Sequence, residues 1–274
     1  MAVSLSLDTP ELAQEYDRIS AERQFRGGQA LIRELELAPG EALLDLGCGT
    51  GLLAEYAAGL VGPAGAVVGV DPLPLRVELA RRKARPNLSF EVANAYDLSE
   101  FPAGTFDVVC MNAVFHWLPE KLEPLRQILR VLKSGGRLGI TTGSRRGPNR
   151  LAAIRFRVLA SEPYNRYPAP IGTQSHRVNA EELEALLRQA GFAVKKLEAR
   201  VRTGRRGGPR PTPEAAIRFT EASSFGNFLG HLPEHLRAAA RDEIKRELER
   251  PRPPDAVRRD EARGLWIVAI AVKP

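Results

Sequence analysis

Two cysteines in 274 residues, Cys48 and Cys110, leave no disulfide framework and no C-x-x-C metal spacing. The four histidines form no cluster with them, so no metal site is expected. Long apolar runs are missing as well: the longest, Leu265 to Val272, has eight residues. A bilayer span needs roughly 20, which excludes a membrane helix. The opening stretch MAVSLSLDTP lacks a basic n-region and reaches Asp8 before any useful apolar core, so no secretory leader is expected and a reducing cytoplasm is the expected location. Acidic residues are fewer than basic ones, 33 Asp and Glu against 40 Lys and Arg, giving a net charge of +7. Such a surplus can be a phosphate-binding footprint. Here only seven of the 40 are Lys and the arginines are spread through every segment, which reads as composition bias on solvated helix faces. A nucleic-acid partner is therefore not expected.

What the chain does have is one octapeptide, Leu44-Asp45-Leu46-Gly47-Cys48-Gly49-Thr50-Gly51. It follows the apolar Ala42-Leu43 and runs into the helix-compatible Leu52 to Ala58, so it reads as strand, glycine turn and helix. Gly47, Gly49 and Gly51 would permit positive φ and bring main-chain N–H groups against a ligand without a Cβ in the way. A dinucleotide fingerprint needs Gly or Ala at the sixth position, where this chain has Leu52, so NAD and FAD fit poorly. Asp45, at the strand's carboxyl end, could organise the loop or meet a cationic ligand, which suits the ammonium and sulfonium of S-adenosylmethionine (SAM). Asp71 ends the next apolar run, Ala66 to Val70, where an acid is placed to accept both ribose hydroxyls.

These residues together resemble motif I and the ribose acid of class I SAM-dependent methyltransferases. The resemblance implies a seven-stranded Rossmann-like α/β sheet with its last strand antiparallel, helical cover insertions, SAM as donor and S-adenosylhomocysteine (SAH) as product. It places Asp45, Gly47, Cys48, Gly49, Gly51, Asp71 and Pro72 at the cofactor. Asn94, Ala95 and Tyr96, after the third strand Leu88 to Val92, fall near the adenine, and Asn112 and Ala113 end the fourth strand beside the cofactor. A leading helix, residues 10 to 37 with a break at Gly27-Gly28, would cover the cofactor mouth with Tyr16, Arg23 and Gln24. The next helix, 73 to 84, would bury Leu75 and Leu79 and leave Arg76, Glu78, Arg81, Arg82 and Lys83 wet.

Residues 112 to 118, Asn-Ala-Val-Phe-His-Trp-Leu, stand on the acceptor side. The N/D-P-P-Y/F tract of amino and base methyltransferases is absent. The tract instead resembles the trans-aconitate and malonyl-carrier carboxyl methyltransferases, implying a small-molecule acceptor methylated on a carboxyl oxygen. His116 reads as general base, as hydrogen-bond donor to the acceptor, or as a structural histidine. Trp117 reads as a wall, and the pair are the catalytic candidates, positioning rather than reacting. Arg145, Arg146 and Tyr164 join them as substrate-binding candidates. Two cysteines also argue against arsenite methyltransferases.

The expected organisation is a helical cover (1–40), a SAM-binding core (41–143), a cover insertion (144–179), a core helix and strand (180–201), a second helical cover (202–263) and a terminal core strand (264–274). Alternatives left open are another O-, N-, S- or C-acceptor, an RNA or protein acceptor, and SAM binding without catalysis. Acceptor identity and oligomeric state are not readable.

Overall fold

A computed structural model of the chain describes residues 8–146, 149–169, 175–201, 212–223, 228–251 and 265–274. Seven strands, β1 (Ala42–Leu46), β2 (Ala66–Asp71), β3 (Leu88–Val92), β4 (Phe106–Asn112), β5 (Leu132–Gly143), β6 (Ala193–Val201) and β7 (Leu265–Val272), form one sheet in the order β3-β2-β1-β4-β5-β7-β6. All run parallel except β7, which pairs antiparallel with both β5 and β6. The chain crosses over between β3 and β4, so the carboxyl ends of β1 and β4 flank the topological switch point, the place where open α/β sheets bind ligands.

The central strands are apolar on both faces because both faces are covered. Helices α2 (Glu22–Glu34), α3 (Leu52–Val61) and α4 (Pro74–Arg81) cover one face with Leu31, Ile32, Leu53, Ala57 and Val77. On the other, α5 (Leu122–Val131) and α7 (Ala180–Gln189) bring Leu125, Ile128, Leu183 and Leu187 against β1, β4 and β5. Burying each such Leu or Ile contributes about 1.5–3 kcal/mol. The Asn179–Glu182 capping box starts α7, and Gly191, at φ 102°, follows its end.

A third cluster stands apart from these two. Ile154 and Val158 of α6 (Arg150–Leu159), Tyr164, Ile217 of α8 (Pro213–Ser223), Leu229, Leu232, and Ala240 and Ile244 of α9 (Glu234–Glu249) pack together. The cover insertion after β5 therefore carries a helix, α6, where the helix-compatible run Leu151 to Ala160 places one, and it packs into a core of its own.

Two expectations are corrected at the N-terminal cover and at α4. The leading helix does not break at Gly27-Gly28; α1 (Pro10–Glu15) passes into a π-helical turn, Tyr16–Ala21, and then into an unbroken α2. A Cβ on Gly28 would lie 2.6 Å from Leu53 Cδ2 and 3.0 Å from Asn112 Nδ2, so this glycine serves close packing rather than a turn. On α4 the buried positions are Arg76, Val77 and Ala80, not Leu75 and Leu79. Arg76 was expected in solvent; it lies over the Tyr16 ring, 4.0 Å from the centroid. β5 also starts earlier than its apolar run, because residues from Leu132 already pair with β4 across a register shift.

Candidate functional site

The turn after β1 has positive φ at Gly47 (84°), Gly49 (57°) and Gly51 (86°), so glycine is required on backbone grounds. Space requires it too. A Cβ would meet Val114 at 2.2 Å from Gly47, the Tyr16 hydroxyl at 2.7 Å from Gly49 and Phe90 at 2.8 Å from Gly51. The amides expected to face a ligand are used internally: Gly47 and Cys48 donate to the Val70 carbonyl at 2.7 and 2.9 Å, and Gly49 donates to Asp71 Oδ2 at 2.9 Å. A loop whose amides are spent in this way suits a cationic ligand better than a pyrophosphate.

Asp71, 4% exposed, also accepts from Leu73 N at 3.0 Å. Burial raises its pKa, while the nearby Arg76 guanidinium and the two amides pull it back. Asp45 is more isolated. Its Oδ1 faces the Cys110 thiol at 3.4 Å and its Oδ2 is buried with no partner among the described residues. Burial pushes its pKa up to about 7. An orphaned acid oxygen in a small void beneath Gly47, Gln24 and Asn112, next to a glycine cradle, fits the ammonium end of SAM.

A cavity of about 340 Å³ opens from this loop. Tyr16, Gln24, Gly47, Asp71, Pro72, Asn94, Ala95, Tyr96, Asn112 and Ala113 all line it. Asp45 and Cys48 line the smaller void beside it, Gly49 lies under Tyr16, and Gly51 backs onto Phe90. The π-turn is tied down over the loop by Thr50 Oγ1 donating to Asp17 at 2.6 Å, and to α8 by the 2.9 Å Ser20–Ser223 pair. Arg23 turns away to the Phe219 ring of α8. The Asn94 side chain accepts from Tyr96 N at 2.8 Å and the Tyr96 hydroxyl donates to the Glu120 carbonyl at 2.9 Å, so both hold the turn after β3 in shape.

On the far side, Asn112 links three elements: its amide donates to the Gln24 carbonyl of α2 at 2.8 Å and its oxygen accepts from Thr141 of β5 at 2.7 Å. Ala113 follows at φ 62°, a left-handed position rare outside glycine, with its N–H held by the Thr141 carbonyl at 2.9 Å. This kink turns the chain into the 3₁₀ turn Phe115–Trp117. Lys121 caps that turn from below, donating to the carbonyls of Phe115 and Leu118, and burial lowers its pKa to about 8.

His116 is 8% exposed and its Nδ1 lies 3.2 Å from the hydroxyl of the fully buried Thr142. Its ring sits 5.0 Å from Trp117 and edge-on to Trp266 at 6.1 Å. All three rings line the cavity. The strap through residues 175–178 is fastened here, with His176 N donating to the His116 carbonyl at 2.7 Å.

Three substrate candidates lie elsewhere. Arg145 and Arg146 pair with Glu182 and Glu181 of α7 with side chains 60% and 65% exposed, because after Ser144 the chain turns outward along that helix. Tyr164 is buried in the third cluster, its hydroxyl donating to Glu243 at 3.2 Å. Arg155, Arg177, Phe219 and Trp266 line the cavity instead. No local signal marked the arginines; Trp266 could have been found by pairing β7 against β5, which sets it opposite Gly143.

Residues 44–140 match the methyltransferase domain family. Over 131 residues the chain is 35% identical to aklanonic acid methyltransferase DauC of Streptomyces sp. (strain C5), covering 46% of this chain and 59% of that protein. It is 29% identical over 255 residues to nocamycin O-methyltransferase of Saccharothrix syringae, covering 86% and 88%. In fold it is similar to the methyltransferase solved with the Haloferax volcanii Trm112 methyltransferase activator, with a TM-score of 0.64, 18% identity and coverage of 99% and 98%.

Proposed function

We propose that the chain is a class I SAM-dependent methyltransferase that methylates a small molecule on a carboxyl oxygen, a reading supported by the match of residues 44–140 to the methyltransferase domain family and by the shared fold. The observation that carries this reading is the continuity of one cavity from Asp71 and Asn94 to His116, Trp117 and Trp266, roofed by residues of α6 and α8. Donor and acceptor would meet inside it, away from water. When bound, SAM supplies an electrophilic methyl carbon whose bonding pair departs with sulfur.

The chain's own residues bind, orient and exclude water. Asp71 would take the ribose hydroxyls, and Asp45 the ammonium. Ala113, strained and pinned by Thr141, sets the direction of the acceptor turn. Trp117 and Trp266 would hold the acceptor as walls. His116, steadied by Thr142 through Nδ1, would orient the acceptor carboxylate. A carboxylate is ionised at neutral pH and needs no base, so a positioning histidine suffices. Support for a carboxyl acceptor comes from the likeness of residues 112–118 to the trans-aconitate and malonyl-carrier carboxyl methyltransferases, and from a relative named for aklanonic acid.

The test begins with a labelled-SAM screen over small acids, amines, phenols and thiols. On an acceptor acid, His116→Gln should raise KM and keep most of kcat, with no new limb in the pH profile. A deep loss of kcat with a vanished acidic limb would show a base at work and overturn the carboxyl reading.

A further inference from the structure

Among the described residues, most arginines of the cover are paired. On α6, Arg157 meets Glu247, and Arg150 donates to the carbonyls of Glu247 and Arg250. Arg155, on the same helix, turns inward over the Phe228 ring, 4.9 Å from its centroid, and lines the cavity. Arg177 reaches the cavity from the strap fastened to the His116 carbonyl, with its Nε 3.3 Å from Ser175 Oγ. A Cβ on Gly143 would lie 3.4 Å from Arg177 Cζ, so this guanidinium rests on the end of β5, beside the Thr142 that steadies His116. Among the described residues neither arginine has an acidic partner. Burial lowers the pKa of both, and for Arg155 the charge of Arg177 adds to it.

The one acid among the lining residues, Asp71, is engaged by the Gly49 and Leu73 amides and lies near Arg76, so two further cations drawn into this aromatic-walled cavity without acidic partners of their own cost free energy that an anion would recover. We infer that Arg155 and Arg177 form a clamp for a carboxylate of the acceptor, converging on it from α6 and from the strap beside His116. The inference rests on the reading of this cavity as the acceptor side of a methyltransferase. A planar guanidinium pairs with a carboxylate through two parallel hydrogen bonds, and two such groups from separate elements select an acid over its neutral analogue.

The two tryptophans of the chain, Trp117 and Trp266, both line the cavity, so intrinsic fluorescence reports its filling. The probes are 3-phenylpropanoate, cinnamate and octanoate, each against its primary amide, titrated with and without SAH. The acids should bind about tenfold or more tighter than the amides. Arg155→Gln and Arg177→Gln should each erase about tenfold of the acid affinity while amide and SAH affinities stay within about twofold. Unchanged SAH affinity shows that these variants are folded, and the Lys replacements should restore part of the acid affinity. Equal binding of acids and amides, wild-type acid affinity in both Gln variants, or no acid binding at millimolar concentration overturns the clamp. Missing SAH binding would overturn the donor reading by itself, while the acid-to-amide ratio still decides the clamp.

Discussion

Asp45 sits between the two cysteines of the chain with one oxygen unpartnered, and its charge is expensive there. Below the ordinary aspartate value its carboxyl is protonated folded or unfolded. Between 3.8 and about 7 only the folded protein holds the proton, so the stability it contributes falls as pH climbs through that window. The melting temperature of the ligand-free protein should therefore decline between about pH 4 and pH 7, with a shallower decline in Asp45→Asn. A cationic ligand reverses the preference by favouring the carboxylate, so SAH binding near about pH 6 should release a proton, detectable by calorimetry in buffers of different ionisation enthalpy. Identical proton release in Asp45→Asn would remove Asp45 from the ammonium site. Asp71 was legible from its spacing to the glycine turn, but not its second task of holding the Gly49 and Leu73 amides. Asp71→Ala should thus weaken SAH by about 1.5–3 kcal/mol and also lower the melting temperature. Unchanged SAH affinity in calorimetry would refute the ribose placement. Arg155 and Arg177 were not legible, because what makes them site residues is convergence from segments far apart in sequence.

At the scale of elements, the acceptor turn is held from three directions: by the Ala113 kink, by Thr142 on β5 and by Lys121 beneath. Replacing Lys121 with Met removes the ammonium donor from the Phe115 and Leu118 carbonyls and leaves Phe115 only the Leu118 N–H, at about 1–3 kcal/mol. Lys121→Met should melt earlier and transfer methyl more slowly with SAH affinity intact. Wild-type turnover in that variant would show that the turn needs no cap. Strand and helix positions followed from apolar periodicity wherever burial was one-sided or complete, as for β7, read and found at Leu265–Val272. Reading failed where packing overrode local preference. Gly27-Gly28 looked like a break, yet α2 runs through it because the helix passes too close to Leu53 and Asn112 for any side chain at Gly28. Arg76 looked solvated by its neighbours' charge, yet it stacks on Tyr16 from a distant helix.

The whole molecule sets a sheet with two covered faces beneath a third apolar cluster of α6, α8 and α9. That third cluster, together with the strap at 175–178, would shape the acceptor side and exclude polymeric substrates from it. Of the basic residues behind the net charge of +7, only Arg155 and Arg177 are proposed to meet the acceptor. Among the described residues no helix is long and apolar enough to cross a membrane. The most direct measurement is transfer of a labelled methyl group from SAM to small carboxylic acids, followed by treatment of the product with alkali. A carboxyl methyl ester hydrolyses under base and releases its label as volatile methanol. SAH formation should be matched mole for mole by alkali-released label, with no label in added RNA or protein. Alkali-stable label, label in a macromolecule, or SAM bound without turnover over the full acid panel would contradict it.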